Sequence, residues 1–163
     1  MTSLPIVKYP QEILRKPSQP IETITPQIQQ LIPRMVEAMK ENKGIGLAGP
    51  QIDIAKQVII VQDSRSSHGF INPKILSKSK EQSVEEEGCL SLPGIFLPIR
   101  RSEKVEVTCL TPDGREVRIE AEGLIARIFQ HEIDHINGFL IIDRVSPLKR
   151  LKIRKLLMAL EHG

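Results

Sequence analysis

Two histidines four residues apart, His131 and His135 in QHEIDHINGF, flank Glu132 in the pattern H-E-x-x-H. On a helix, positions four apart stand one turn apart on one face. Both imidazoles can therefore hold one metal ion, with a carboxylate beside it that need not be a ligand. A hydrolytic centre needs a third protein ligand and an open position. One zinc-protease pattern would put a third His three residues after Gly138, but that position is Ile141, which binds no metal. Asp143 is the acidic residue nearby on that side. The stronger candidate lies upstream in EEEGCLSLPG, where Cys89 follows Gly88. A thiolate is a strong ligand for zinc or ferrous iron. Alone, Cys89 would read as a small buried apolar residue; the companion segments favour a ligand.

The third segment is GIGLAGPQI, residues 44–52. Its glycines imitate a dinucleotide fingerprint, with Asp63 at the end of a strand further on. That motif must follow a strand and open a helix, and here a helix precedes it and Pro50 follows. The glycines are better read as a loop that comes close to a substrate backbone. Gln51 then stands out as a neutral N–H donor suited to an oxyanion, against the plainer reading of a solvated side chain.

These residues need elements to hold them. Residues 26–42 have helical spacing, with Thr25 as N-cap, Pro26 at the first position, and Ile28, Leu31, Ile32, Met35 and Met39 on one stripe. Pro33 should kink or delay this helix. QVIIVQ, 57–62, reads as a buried strand. KVEVTCL and REVRIEA alternate and are joined by TPDG as a hairpin, which makes Cys109 a core residue. Residues 123–137 return to helical spacing, with Leu124, Ile128, His131 and His135 on one face and Gly138 to end the helix. Ser146 and Pro147 open a last helix at about 147–161. Its segment 149–155 carries five cations, and Leu148, Leu151, Leu156 and Leu160 give it an apolar side. The expected fold is α+β. A single domain, residues 1–163, packs the H-E-x-x-H helix against mostly antiparallel sheets and adds a C-terminal helix.

Composition is that of a globular domain. Of 163 residues, 40% are apolar and 26% charged, enough for a real core built from Ile, Leu and Val, since Trp is absent. Net charge is +3, a mild excess that suggests an acidic partner only where it is clustered. No charged head precedes an apolar run at the N-terminus, and no run approaches a membrane span. Two thiols with separate roles are expected rather than a disulfide. The place of action expected is the cytoplasm of a bacterium, or an organelle.

Together GIGLAGPQ, EGCLS and QHEIDH, in this order, resemble the peptide deformylase family, and the likeness spans nearly the whole chain. Gly49 departs from the family's usual Ala and should loosen the loop slightly. The resemblance implies a hydrolase that removes the N-formyl group from the formylmethionine of newly made proteins. It implies one divalent metal ion on Cys89, His131 and His135, natively Fe2+, with Zn2+, Ni2+ or Co2+ as substitutes. Glu132 is then the general base, and Gln51 with the Leu90 backbone N–H holds the oxyanion. Backbone around Ile45, Gly46 and Gly88 would pair with the peptide. Leu124 and Ile128 would line the methionine pocket, with core packing as the alternative for Leu124. The partners implied are formylmethionyl nascent peptides and, through the basic C-terminal helix, the ribosome; neither membrane nor DNA is expected.

Some residues stay open. Asp134 could orient a ligand histidine or pair with an arginine. Glu87 could pair with Arg101 or belong to a solvated acidic run. His68 and His162 are read as solvated. Two rival classes remain in view: a zinc peptidase, against which Ile141 and EGCLS speak, and a non-enzymatic module with a closed metal, which lacks a fourth ligand.

Overall fold

The computed structural model describes residues 4–163. Its centre is a five-stranded antiparallel sheet in the order β1-β2-β3-β6-β7, with β1 Gly46–Ala48, β2 Val58–Gln62, β3 Ser67–Lys78, β6 Lys104–Leu110 and β7 Glu116–Glu122. A second antiparallel pair is formed by β4 Gln82–Gly88 and β5 Phe96–Ser102. The long helices are α1 Pro26–Glu41 and α2 Gly123–Ile136. The fold is therefore the α+β arrangement expected.

The unbroken apolar run of β2 has a direct cause. Successive side chains of a strand point to opposite faces. Val58 and Ile60 join the core under α1, with Met35, Met39 and Leu47. Ile59 and Val61 join the core under α2, with Val107, Phe129 and Ile133. Both faces of β2 are covered over residues 58–61, which is why those four positions are apolar and the polar Gln62 comes only at the less buried end. α1 begins as its sequence directs: the Thr25 side chain accepts from the Ile28 N–H at 3.4 Å. The helix runs unbroken through Pro33, contrary to the expected delay. Pro33 and Gln29 lie on the exposed side, so the carbonyl that loses its partner can be hydrated.

α2 ends in a Schellman motif. Gly138 N–H donates to His135 C=O at 3.1 Å and Phe139 N–H to Asp134 C=O at 2.9 Å. Gly138 has φ +87°, and a Cβ there would lie 2.6 Å from the Arg15 carbonyl. The stop after the second histidine is thus fixed by backbone geometry and packing together.

The C-terminal segment differs from expectation in two ways. It is two helices, α3 Pro147–Lys152 and α4 Arg154–His162, divided at Ile153. Its buried side is also another one. Leu148, Leu151 and Leu156 are exposed, whereas Ile153 and Leu157 are buried with Leu97, Ile99 and Ile142, and Leu160 packs at their edge. The break at Ile153 changes the angular phase, so spacing measured along one continuous helix picks the wrong face. Tyr9 Oη donates to Glu161 at 2.9 Å and ties the tail to the N-terminal segment.

Candidate metal-dependent active site

The three chemical segments meet in a cleft of about 590 Å3. Cys89 sits in the turn after β4, and both histidines come from α2. His131 Nε2 and His135 Nε2 are 3.2 Å apart, and Cys89 Sγ is 3.4 Å from His135 Nε2. All three donor atoms lie within 4.8 Å of one another. Donors around one four-coordinate ion at the usual bond lengths stand roughly 3.3–3.8 Å apart. The donor set therefore fits one ion. The electrostatics fit as well. Burial works against a charged His131, yet Glu132, Cys89 and Glu87 outweigh it and raise its pKa well above the usual value. Burial and the neighbouring His131 lower the pKa of His135 well below the usual value, so the pair disfavours a second positive charge and His135 stays a neutral imidazole.

Glu132 is 4% exposed, and its Oε1 has no partner among the described residues. Burial pushes its pKa up to about 7. Gly46 has a specific reason to be glycine: a Cβ there would lie 2.4 Å from Glu132 Oε2. Gln51 is 2% exposed, so the solvated reading fails. Its Oε1 accepts from Ala48 N–H at 3.0 Å, and its Nε2 lies 3.7 Å from Cys89 Sγ. Leu90, Ile45, Gly46, Gly88, Leu124 and Ile128 all line the cleft. Leu124 is exposed there, which removes core packing as its explanation; Ile128 is buried. Ile141 is buried in the core beside β5, and Asp143 accepts from Leu140 N–H and pairs with Arg15, so neither reaches the cup.

Beneath the cup lies a buried ion network. Glu87 accepts from His131 Nδ1 at 2.8 Å, from Arg101 Nε at 2.9 Å and Nη2 at 3.0 Å, and from Arg127 Nη1 at 2.6 Å. Burial opposes its ionisation, but His131 and Arg101 outweigh it and hold its pKa at about 2. The solvated reading of Glu87 is thereby replaced by the pair with Arg101. The Nδ1 contact leaves the Nε2 lone pair of His131 facing the cup. Glu87, not Asp134, orients this histidine: Asp134 accepts from Arg101 at 2.6 Å and Arg144 at 2.7 Å. Arg127 was not singled out from the sequence. Its signal is a cation four residues before His131, one turn away on the same side of the helix. Phe96 was missed too; its exposed ring lies over Gly88, where an added Cβ would come within 2.7 Å of it.

Cys109 is the core residue expected, 3% exposed on β6, with its thiol pushed up to about 11 by burial. Both cysteines are free thiols. His162 and His68 are both exposed, and His68 is bonded to Asp63 at 2.7 Å. Gly49 corrects another expectation. A Cβ at Gly49 would lie 2.5 Å from the Lys56 carbonyl and 2.7 Å from that of Ile54. The loop is tight here, not loosened. Gly49→Ala should lower stability by about 1–3 kcal/mol, as overpacking does, and a melting curve checks this; an unchanged Tm would refute the steric account.

An α+β fold carrying an H-E-x-x-H helix, a cysteine thiol and a buried carboxylate in one cleft defines a metal-dependent hydrolase. A sequence profile described as polypeptide deformylase matches residues 3–151, and the chain belongs to that family. It is 46% identical over 160 residues to the peptide deformylase of Thermodesulfovibrio yellowstonii, covering 95% of this chain and 96% of that one. The crystal structure of peptide deformylase from Thermotoga maritima superposes with a TM-score of 0.88 at 40% identity, over 90% of this chain and all of that one, 100%. The peptide deformylase of Ehrlichia chaffeensis in complex with actinonin gives a TM-score of 0.92 at 33% identity, over 99% and 98% of the two chains. Enzymes of this family are metal-dependent hydrolases that remove the N-formyl group from nascent proteins, and this is the activity of the chain.

Proposed function

We propose that the reaction runs on Cys89, His131 and His135 as metal ligands, Glu132 as general base, and Gln51 with the Leu90 backbone N–H as oxyanion donors. The observation that carries this reading is Glu132 Oε1, without a partner among the described residues and buried beside three converging metal donors. A cation held there supplies Lewis acidity, making water acidic near neutral pH and polarising a carbonyl. Glu132 takes a proton from the water that adds to the formyl carbon. Its burial, which raises its pKa from the ordinary carboxylate range, suits a group that must accept a proton and give it up again. Negative charge then develops on the formyl oxygen, and the Gln51 Nε2–H and Leu90 N–H donate to it. Glu132 returns the proton to the leaving nitrogen as the C–N bond breaks, releasing formate and a free amine. Backbone at Ile45, Gly46 and Gly88 pairs with the extended peptide, and Leu124 and Ile128 receive the methionine side chain.

The family resemblance points to Fe2+ as the native ion, and one thiolate with two imidazoles also admits Zn2+, Ni2+ and Co2+. Formate release from a formyl-Met peptide tests the reading. Chelation should abolish it and a divalent ion restore it, while a peptide with an acetylated N-terminus and ordinary internal amides stays intact. Cleavage of the internal amide would instead favour a peptidase.

Exposed Arg150, Lys152, Arg154 and Lys155 on the tail support docking on ribosomal RNA near emerging chains, in the cytoplasm or an organelle. Deleting residues 149–163 is a poor test, because it also removes the buried Ile153 and Leu157. That deletion should cost about 3–6 kcal/mol of hydrophobic burial and lower Tm markedly. Replacing Lys152, Arg154 and Lys155 by Gln should leave Tm and peptide deformylation unchanged but reduce cosedimentation with ribosomes at low salt. Undiminished cosedimentation of that triple variant would end the docking idea.

A further inference from the structure

The Gln51 amide is held by a chain of bonds that begins far away in sequence. Its Nε2 lies 3.2 Å from Ser91 Oγ, and Ser91 is fully buried. The Ser91 hydroxyl donates its single proton to the Val7 carbonyl at 2.7 Å. A hydroxyl committed in this way can only accept from Gln51, so it must face the amide nitrogen and not the amide oxygen. The Ala48 N–H, donating to Oε1 at 3.0 Å, demands the same orientation independently. The N-terminal segment straps the two loops together: Val7 N–H donates to Gln51 C=O at 2.7 Å and Tyr9 N–H to Ser91 C=O at 2.9 Å. An amide nitrogen carries two protons. Ser91 takes one, and the other is left on the side of Cys89 Sγ, 3.7 Å away.

We propose that Ser91 is a positioning residue for deformylation: its hydroxyl, locked by the Val7 carbonyl, aims the second Gln51 N–H at the place where the formyl oxygen becomes negative. The terminal amide torsion of Gln is broad and two-fold, so without Ser91 that donor loses part of its fixed direction. A donor is most effective when it needs no reorganisation at the moment of reaction. The proposal rests on the oxyanion role given to Gln51 above, and the test separates the two.

Four metal-loaded proteins are compared: the natural chain, Ser91→Ala, Gln51→Ala and the double variant. Gln51→Ala should lower kcat by about 10^2-fold, the usual loss for one oxyanion donor. Ser91→Ala should lower kcat by about ten-fold, a fraction of that loss, with KM and metal content unchanged. The double variant should match Gln51→Ala alone, because a positioning residue has nothing left to position. In the metal-free protein, nuclear magnetic resonance should show the Gln51 side-chain amide protons exchanging faster with solvent once Ser91 is Ala. Ser91→Cys, which keeps a weak donor and acceptor, should recover part of the loss, and it carries the same comparison if Ser91→Ala does not fold. Undiminished kcat in Ser91→Ala, or losses that multiply in the double variant, overturns the proposal while Gln51 keeps its role. Undiminished kcat in Gln51→Ala removes the oxyanion reading, and this proposal falls with it.

Discussion

Glu132→Ala is expected to keep a full complement of metal and to lose about 10^2- to 10^4-fold in kcat, the range contributed by a positioned general base. The carboxylate is not one of the three atoms that converge as donors, so metal content has no reason to change. Its loss falls on the chemical step, lowering kcat and kcat/KM together while KM stays near its original value. Burial gives a second, less obvious expectation. Glu132 Oε1 is enclosed without a partner among the described residues, and such a group costs stability. Glu132→Gln, which keeps the shape and removes the ionisable group, should therefore melt no lower than the natural chain while being as inactive as the Ala variant. Metal analysis, steady-state kinetics and a melting curve on one preparation check all three points. Turnover near that of the natural chain would show that the base lies elsewhere.

The two cysteines should separate cleanly. Cys89→Ala removes one of three donors, and the fall in metal affinity should exceed the roughly 10- to 100-fold typical of changes in the groups that merely orient ligands. Cys109→Ala should leave metal content and activity intact. Its thiol is 3% exposed on β6, with its pKa raised to about 11, so it is neither a ligand nor a reactive nucleophile. Competition titration with a chromophoric chelator measures both affinities. Equal losses in the two variants would require a metal site built from both sulfurs, which the separate positions of these residues do not support.

Much of the site was legible because its signals are local. The four-residue spacing of His131 and His135 sets both imidazoles on one face whatever surrounds the helix, and Gly138 stops that helix at once. The KVEVTCL–REVRIEA hairpin pairs with Leu110 opposite Glu116 and Lys104 opposite Glu122, as alternation and a tight turn require. Cys89 and Gln51 carried weaker local signals, and the company of the other segments gave them weight. What the sequence did not determine alone depends on which distant residues come to share a buried volume. Glu85 and Glu86 remain exposed, yet Glu87 is buried against Arg101, Arg127 and His131. The sequence leaves both readings of Glu87 open, paired with Arg101 or solvated with the rest of the run. That is decided when β4 and β5 pair and lay one edge under α2. Likewise the tail has helical spacing throughout, but a break at Ile153 rotates the face that packs, and burial selects Ile153 and Leu157 over Leu151 and Leu156. Ser91 reads as an ordinary serine until the N-terminal segment brings the Val7 carbonyl to it from 84 residues away. Local periodicity is set by backbone geometry and survives translation into sequence, whereas desolvation of a charge or a hydroxyl is set by neighbours that only chain closure supplies.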